Sequence, residues 1–207
     1  MSILKGNAIV GQSGGPTAAI NATLAGVIFG AMNSENVGRI YGMKNGIEGL
    51  LDDNIIELDG YFPDGDAFEV LKHTPAAALG SCRRKLPAEG DSKYRQTFEK
   101  IIEQFKKYDV RFFFYIGGND SMDTVAKLSK YTTECGYEVL IIGVPKTIDN
   151  DLLGTDHTPG FGSAAKYISV TMQEILRDTA VYTVKAVTIV EIMGRDTGWL
   201  TASSALG

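Results

Sequence analysis

Cysteine is scarce in this chain: Cys82 and Cys135 are the two present. They show no metal-ligand spacing and call for no disulfide, which fits a reducing cytosol. A basic excess is also missing. The 207 residues carry a net charge of −5, so no global positive field suits nucleic acid, and any phosphate site must be local. Long apolar runs are missing too. None approaches the roughly 18 residues of a membrane span, and Met1-Ser2-Ile3-Leu4-Lys5-Gly6 is too short and polar for a signal peptide. Repeats, low-complexity tracts and interdomain linkers do not occur. These absences predict a soluble, cytoplasmic protein with neither nucleic-acid nor membrane partners. The remaining composition, 44% hydrophobic and 22% charged, suits one globular domain with a real core.

The order of elements alternates strand and helix. Strands are expected at Asn7 to Gly11, Gly38 to Gly42, Val110 to Ile116, Glu138 to Val144 and Ala186 to Met193. Helices are expected at Ala18 to Met32, 45–51, Tyr94 to Tyr108, Ser121 to Cys135, Phe161 to Asp178 and Trp199 to Ala205. Phe98, Ile101, Ile102 and Phe105 share one helical stripe. Residues 52–93 read as irregular, rich in glycine, proline and charge. Apolar strands alternating with helices predict an α/β fold, a doubly wound, mostly parallel sheet flanked by helices.

The densest chemistry follows the run Val139-Leu140-Ile141-Ile142-Gly143-Val144, read as a buried parallel strand. There stands Pro145-Lys146-Thr147-Ile148-Asp149-Asn150-Asp151. Ligands of open α/β sheets bind at that end of the strands. One carboxylate can take a proton from an alcohol, a second can align it, and a lysine can hold phosphate.

Three other strand ends carry glycine and polar residues. Gly11-Gln12-Ser13-Gly14-Gly15-Pro16-Thr17 precedes a helix, where glycines admit a phosphate to the backbone and Pro16 suits a first turn. It lacks both the Gly-Lys-Ser/Thr of a P-loop and the dinucleotide fingerprint. Gly117-Gly118-Asn119-Asp120-Ser121 offers Asn119 and Asp120 as oxygen ligands for Mg²⁺, with Ser121 as helix cap or phosphate contact. Met193-Gly194-Arg195-Asp196-Thr197-Gly198 offers Arg195 as a bidentate phosphate ligand. Arg83, Arg84 and Lys85 add a basic triplet, and Cys82 beside it reads as an inert thiol. Each loop alone is equally an ordinary turn. Their joint presence in strand-end order is what points to phosphate.

Together these motifs resemble the 6-phosphofructokinase family, from about Asn7 to the end. The resemblance implies a Rossmann-like N-terminal domain and Mg²⁺-dependent phosphoryl transfer to the 1-hydroxyl of fructose 6-phosphate, a step of glycolysis. It implies Asp149 as general base, with Asp151 assisting substrate and metal. Thr147 contacts the transferring phosphoryl group and the sugar. Met193, Gly194 and Arg195 contact fructose 6-phosphate, Gly15 contacts donor phosphate through its backbone, and Arg83 stabilises the transferred charge. Two positions bear on the donor. ATP-using members have glycine where this chain has Asp120 and Lys146, and the chain resembles the pyrophosphate-using members at both. An Asp120 side chain fills and charges the space of a nucleotide α-phosphate, and Lys146 offsets the leaving phosphate. Reversible transfer from pyrophosphate is the expected reaction.

The chain also departs from the family pattern. Asn119 stands at the first acidic position of the Gly-Gly-Asp-Asp motif. Ala186, with Lys185 adjacent, replaces an arginine used across a subunit interface. The family's chains run beyond Gly207, so the resemblance implies that residues 1–207 are the donor-binding half. The second, sugar-phosphate domain is then absent, and the full-length enzyme is a homo-oligomer. An ATP-dependent enzyme and an inactive, anion-binding or regulatory half-domain are the alternatives.

Overall fold

The computed structural model describes residues 3–206, so Met1, Ser2 and Gly207, the ends of the segments read above, lie outside the described residues. The chain divides into two units, Met1–Pro145 and Lys146–Gly207.

The first unit is built on five strands: β1 (Gly6–Gln12), β2 (Val37–Met43), β3 (Ile55–Glu57), β4 (Val110–Gly117) and β5 (Leu140–Pro145). Their order is β3-β2-β1-β4-β5. β1 pairs in parallel with β2 and β4, and β4 with β5, while β3 runs antiparallel to β2. The chain leaves β1 toward β2 on one side and reaches β4 on the other. The order therefore reverses between β1 and β4, the switch point where such sheets leave a crevice beyond their carboxyl ends.

Alternation along the strands sends side chains to two cores. Ile9, Phe113 and Tyr115 join Phe98, Ile101 and Phe105 on one face; Ala8, Val10 and Ile116 join Ile20, Leu24 and Ile28 on the other. The expected stripe of α4 (Tyr94–Lys107) is fully realised, since Phe98, Ile101, Ile102 and Phe105 are its buried residues. Each such side chain contributes about 1.5–3 kcal/mol on burial. α1 (Ile20–Met32), α2 (Gly46–Leu51), α3 (Gly65–His73) and α5 (Asn119–Glu134) complete this unit.

Two expectations fail here. The stretch 52–93 is not wholly irregular, because it holds β3, a 3₁₀ turn at Asp59–Tyr61 and α3. The Asp64 carboxylate accepts the Ala67 N–H at 3.2 Å and so caps α3. Nor is β5 a buried strand. It lies last in the sheet, and Leu140 and Ile142 are exposed.

The second unit holds α6 (Phe161–Ala180), α7 (Trp199–Ser203) and a 3₁₀ turn at Ser204–Leu206. α6 packs against α7 and that turn, yet buries none of its residues. The strand expected at Ala186–Met193 does not form. A strand exists through its ladder, and among the described residues no strand forms a ladder with this stretch, where Val187 and Ile189 are 90% and 91% exposed.

Candidate functional site

The first unit brings three sequence-distant segments to the switch point. Past β1, the Ser13 N–H donates to the Ile116 carbonyl at 2.9 Å, and the Gly14 N–H donates to the Cys82 carbonyl at 3.0 Å. The Ser81 hydroxyl closes the pair by donating to the Gly14 carbonyl. This lacing sets Arg83 beside the glycine loop: a Cβ on Gly15 would stand 3.7 Å from an Arg83 Nη atom. Gly15, which the resemblance assigns to the donor phosphate, and Arg83, which it assigns to the transferred group, are therefore neighbours.

The β4 end joins through Ser121, whose hydroxyl donates to Ser13 Oγ at 3.0 Å. Gly117 makes room for it, since a Cβ there would fall 1.9 Å from Ser121 Oγ. Ser121 is thus a buried tie between two loops and not a helix cap. The cap position of α5 is Gly118, and the helix starts at Asn119. Asn119 and Asp120 then lie in the first turn, where helix geometry favours an acidic side chain. The Asp120 carboxylate is ion-paired with Lys85 at 2.9 Å. At the first loop, α1 begins at Ile20, two residues later than expected, so Pro16 lies ahead of the helix.

Beneath the glycine loop runs a buried amide pair. Gln12 Nε2 donates to Asn21 Oδ1 at 2.9 Å and to the Ile20 carbonyl at 3.2 Å, while Gln12 Oε1 accepts the Leu79 N–H at 2.9 Å. Asn21 Oδ1 also accepts the Ala78 N–H, and its amide donates to the Thr74 carbonyl, both at 2.9 Å. Tyr115, whose hydroxyl accepts the Ile47 N–H at 3.1 Å, lies buried beside Cys82. Burial pushes its phenol pKa well up, so it stays neutral. Sequence reasoning missed these supports. The polar Gln12 inside an apolar strand and the polar Asn21 inside an apolar helix were the available signals.

The second unit organises the heptad. The Asp149 N–H donates to Thr147 Oγ1 at 3.0 Å, and the Asp149 carbonyl accepts from Thr197 Oγ1 at 2.6 Å. The backbone of Asp149 is therefore held from both sides. Asn150 adopts φ +57°; its amide donates to the Asp156 carbonyl at 3.0 Å, and its oxygen accepts the Thr158 N–H at 2.9 Å. Thr158 Oγ1 returns a bond of 2.7 Å to the Thr147 carbonyl. Thr147, Asp149 and Asp151 are half-buried, and Lys146 is buried. Through Thr197 the turn at 193–198 is tied to the heptad, so Met193, Gly194 and Arg195 accompany Asp149. Met193 and Arg195 are exposed.

The donor set at Asn119 and Asp120 fits a hard cation of limited kind. Among the described residues no three His, Cys, Asp or Glu side chains converge on a metal position. Mg²⁺ needs no such cage, because it usually takes one or two carboxylates and completes its shell with water and substrate phosphates. One carboxylate and one amide suit an ion that arrives with its phosphate.

A mostly parallel five-stranded sheet with glycine-rich turns beyond its carboxyl ends defines an open α/β domain. The comparisons with known proteins narrow that class. The family model for phosphofructokinase matches residues 7–207, and the chain belongs to the phosphofructokinase family. A pyrophosphate–fructose 6-phosphate 1-phosphotransferase of Halomonas elongata is 44% identical over 203 residues, covering 97% of this chain and 48% of that protein. The crystal structure of a pyrophosphate-dependent phosphofructokinase from Nitrosospira multiformis superposes with a TM-score of 0.86 at 44% identity, covering 97% of this chain and 49% of that one. An ATP-dependent 6-phosphofructokinase of Actinobacillus pleuropneumoniae is 39% identical over 194 residues, covering 94% of this chain and 54% of the relative. The chain thus spans about half the length of the relatives it matches.

Proposed function

We propose that this chain is the donor-binding, N-terminal half of an enzyme that moves a phosphoryl group reversibly between pyrophosphate and the 1-hydroxyl of fructose 6-phosphate. The observation that carries the choice of donor is the Asp120 carboxylate in the first turn of α5, held there by Lys85. It puts bulk at the helix end beside the Gly15 and Arg83 loop, where a nucleotide would need room. The Halomonas elongata and Nitrosospira multiformis relatives support the same donor.

In this reading the glycine loop and Arg83 hold the donor's phosphates. Asp149 accepts the proton of the sugar hydroxyl, whose oxygen forms the new bond to phosphorus as the bridging phosphorus–oxygen bond breaks. The departing electron pair leaves with phosphate, and Lys146 offsets its charge. Thr147, Asp151, Met193, Gly194 and Arg195 orient the sugar phosphate and the transferring group. Asn119 and Asp120 are the residues that would hold Mg²⁺, which supplies further neutralisation of the phosphates when bound. Positioning and electrostatics then supply most of the rate. The clamp of Thr147 and Thr197 on the backbone of Asp149 supports the base assignment, since a general base must be held within reach of its proton. A cytoplasmic homo-oligomer that includes a second, sugar-phosphate domain belongs to the same reading.

The test is formation of fructose 1,6-bisphosphate by the full-length protein, with Mg²⁺ and either pyrophosphate or ATP. Turnover with pyrophosphate is expected. Turnover with ATP alone overturns the donor assignment, and turnover with neither favours an anion-binding module.

A further inference from the structure

The basic triplet between Ser81 and Leu86 has a geometry that the proposed mechanism only half uses. Cys82 and Leu86 are 7% and 2% exposed and belong to one core cluster, while Arg83, Arg84 and Lys85 between them face out. The strap is pinned at both ends by polar contacts as well. At Cys82 its carbonyl accepts from the Gly14 N–H at 3.0 Å and from Ser13 Oγ at 3.4 Å. At Leu86 its carbonyl accepts from Lys127 Nζ at 3.1 Å, and Lys127 is itself paired with Asp123 of α5 at 2.7 Å. The strap therefore runs from the glycine loop to α5 with little freedom at either anchor. Arg83 meets Gly15 at one end, and Lys85 meets Asp120 at the other.

The side chains of Lys85 and Asp120 are 67% and 59% exposed. A pair so open to water contributes little to stability. Its consequence is local. With no Mg²⁺ on it, an unpaired carboxylate in the first turn of α5 would repel an incoming anion, and its side chain would be free among rotamers. Lys85 removes both effects while leaving the bulk of Asp120 in place.

We infer that Lys85 is a positioning and specificity-determining residue: it fixes and neutralises Asp120, so that Asp120 excludes a nucleotide without repelling pyrophosphate. The inference rests on the proposed donor. Lys85 acts through Asp120 and does not itself hold the donor.

The test is a double-mutant cycle in the full-length protein, read as separate KM and kcat values. Lys85→Met is expected to raise KM for pyrophosphate about fivefold to tenfold, the scale of one uncompensated charge a few ångströms away in a watery setting. KM for fructose 6-phosphate and the melting temperature stay unchanged, and Lys85→Arg restores the wild-type KM. In an Asp120→Asn background the same Lys85→Met change has no effect, because there is no charge left to compensate. An equal loss in both backgrounds overturns the inference, since Lys85 would then be a direct donor ligand. An unchanged KM in Lys85→Met also overturns it, while wild-type turnover with pyrophosphate keeps the donor reading intact. Wild-type turnover with ATP alone removes both.

Discussion

Gly194→Ala is expected to raise KM for fructose 6-phosphate far more than one methyl group on an exposed turn would suggest. Gly194 adopts φ +148°, and a Cβ there would stand 2.3 Å from the Thr197 carbonyl oxygen. The obstacle is backbone, so no side chain can swing aside. Holding a non-glycine residue in that region costs about 1–3 kcal/mol. As the turn opens, Thr197 Oγ1 leaves the Asp149 carbonyl, a contact of 2.6 Å, and a hydrogen bond of that kind is worth about 0.5–1.5 kcal/mol. At a factor of ten for each ~1.4 kcal/mol, KM rises at least about tenfold and at most about a thousandfold. Thr197→Ala removes the hydrogen bond without the clash and is expected to cost only about two- to tenfold. The assay is initial-rate kinetics of the full-length protein at saturating pyrophosphate, with thermal unfolding of each variant alongside. A Gly194→Ala enzyme with KM within about twofold of wild type refutes the reasoning. So does a Thr197→Ala variant that loses more than Gly194→Ala.

Asp149→Asn is expected to lower kcat by about a hundredfold to ten-thousandfold with little change in melting temperature, because only the proton acceptor is lost; stopped assays at long incubation measure the residue of activity. Replacing Asp120 and Lys146 together by glycine is expected to reduce turnover with pyrophosphate and to bring in turnover with ATP, read by supplying each donor in turn. Tyr115→Phe strips the Ile47 N–H of its buried acceptor, which should cost about 1–3 kcal/mol in a denaturant titration. Asp53 has its carboxyl held below the usual range, first by the hydrogen bond from Lys107 and then by that from Tyr108. A lowered folded pKa means stability that is present above the unfolded value, about 3.9, and lost as pH falls through the folded one. The melting-temperature deficit of Asp53→Asn should therefore be present at neutral pH and vanish in acid; a deficit independent of pH would refute it.

The parts of the fold legible in the sequence are those decided by local periodicity. The apolar stripe of α4 and the solid run of β4 needed no partner to be recognised. α3 was hidden by its charge-rich surroundings, although Asp64 with Phe68 and Leu71 carried a cap and a helical spacing. β3 is too short at three residues to show a period. Ala186–Met193 has the composition of a strand, but composition cannot supply the neighbouring ladder. Three of the four loops were legible as strand ends, those after β1, β4 and β5, because glycine and polar residues follow an apolar run there; the loop at 193–198 follows no strand. The pairing of Lys85 with Asp120 was not legible, since nothing in a surface lysine announces which distant carboxylate it meets. The reading of Ser121 as a helix cap failed for the same reason: its partner, Ser13, lies 108 residues away.

That separation has a consequence for how the protein is made. The glycine loop after β1 precedes every one of its partners in the chain. Its Gln12 waits for the Leu79 N–H, its Gly14 for Cys82, and its Ser13 for Ile116 and then Ser121. Such contacts close long stretches of chain, and contacts of that span form slowly. The loop therefore acquires its final shape only after β4 has docked beside β1 and α5 has begun. Anion affinity should then arise late in refolding, after helical content has recovered.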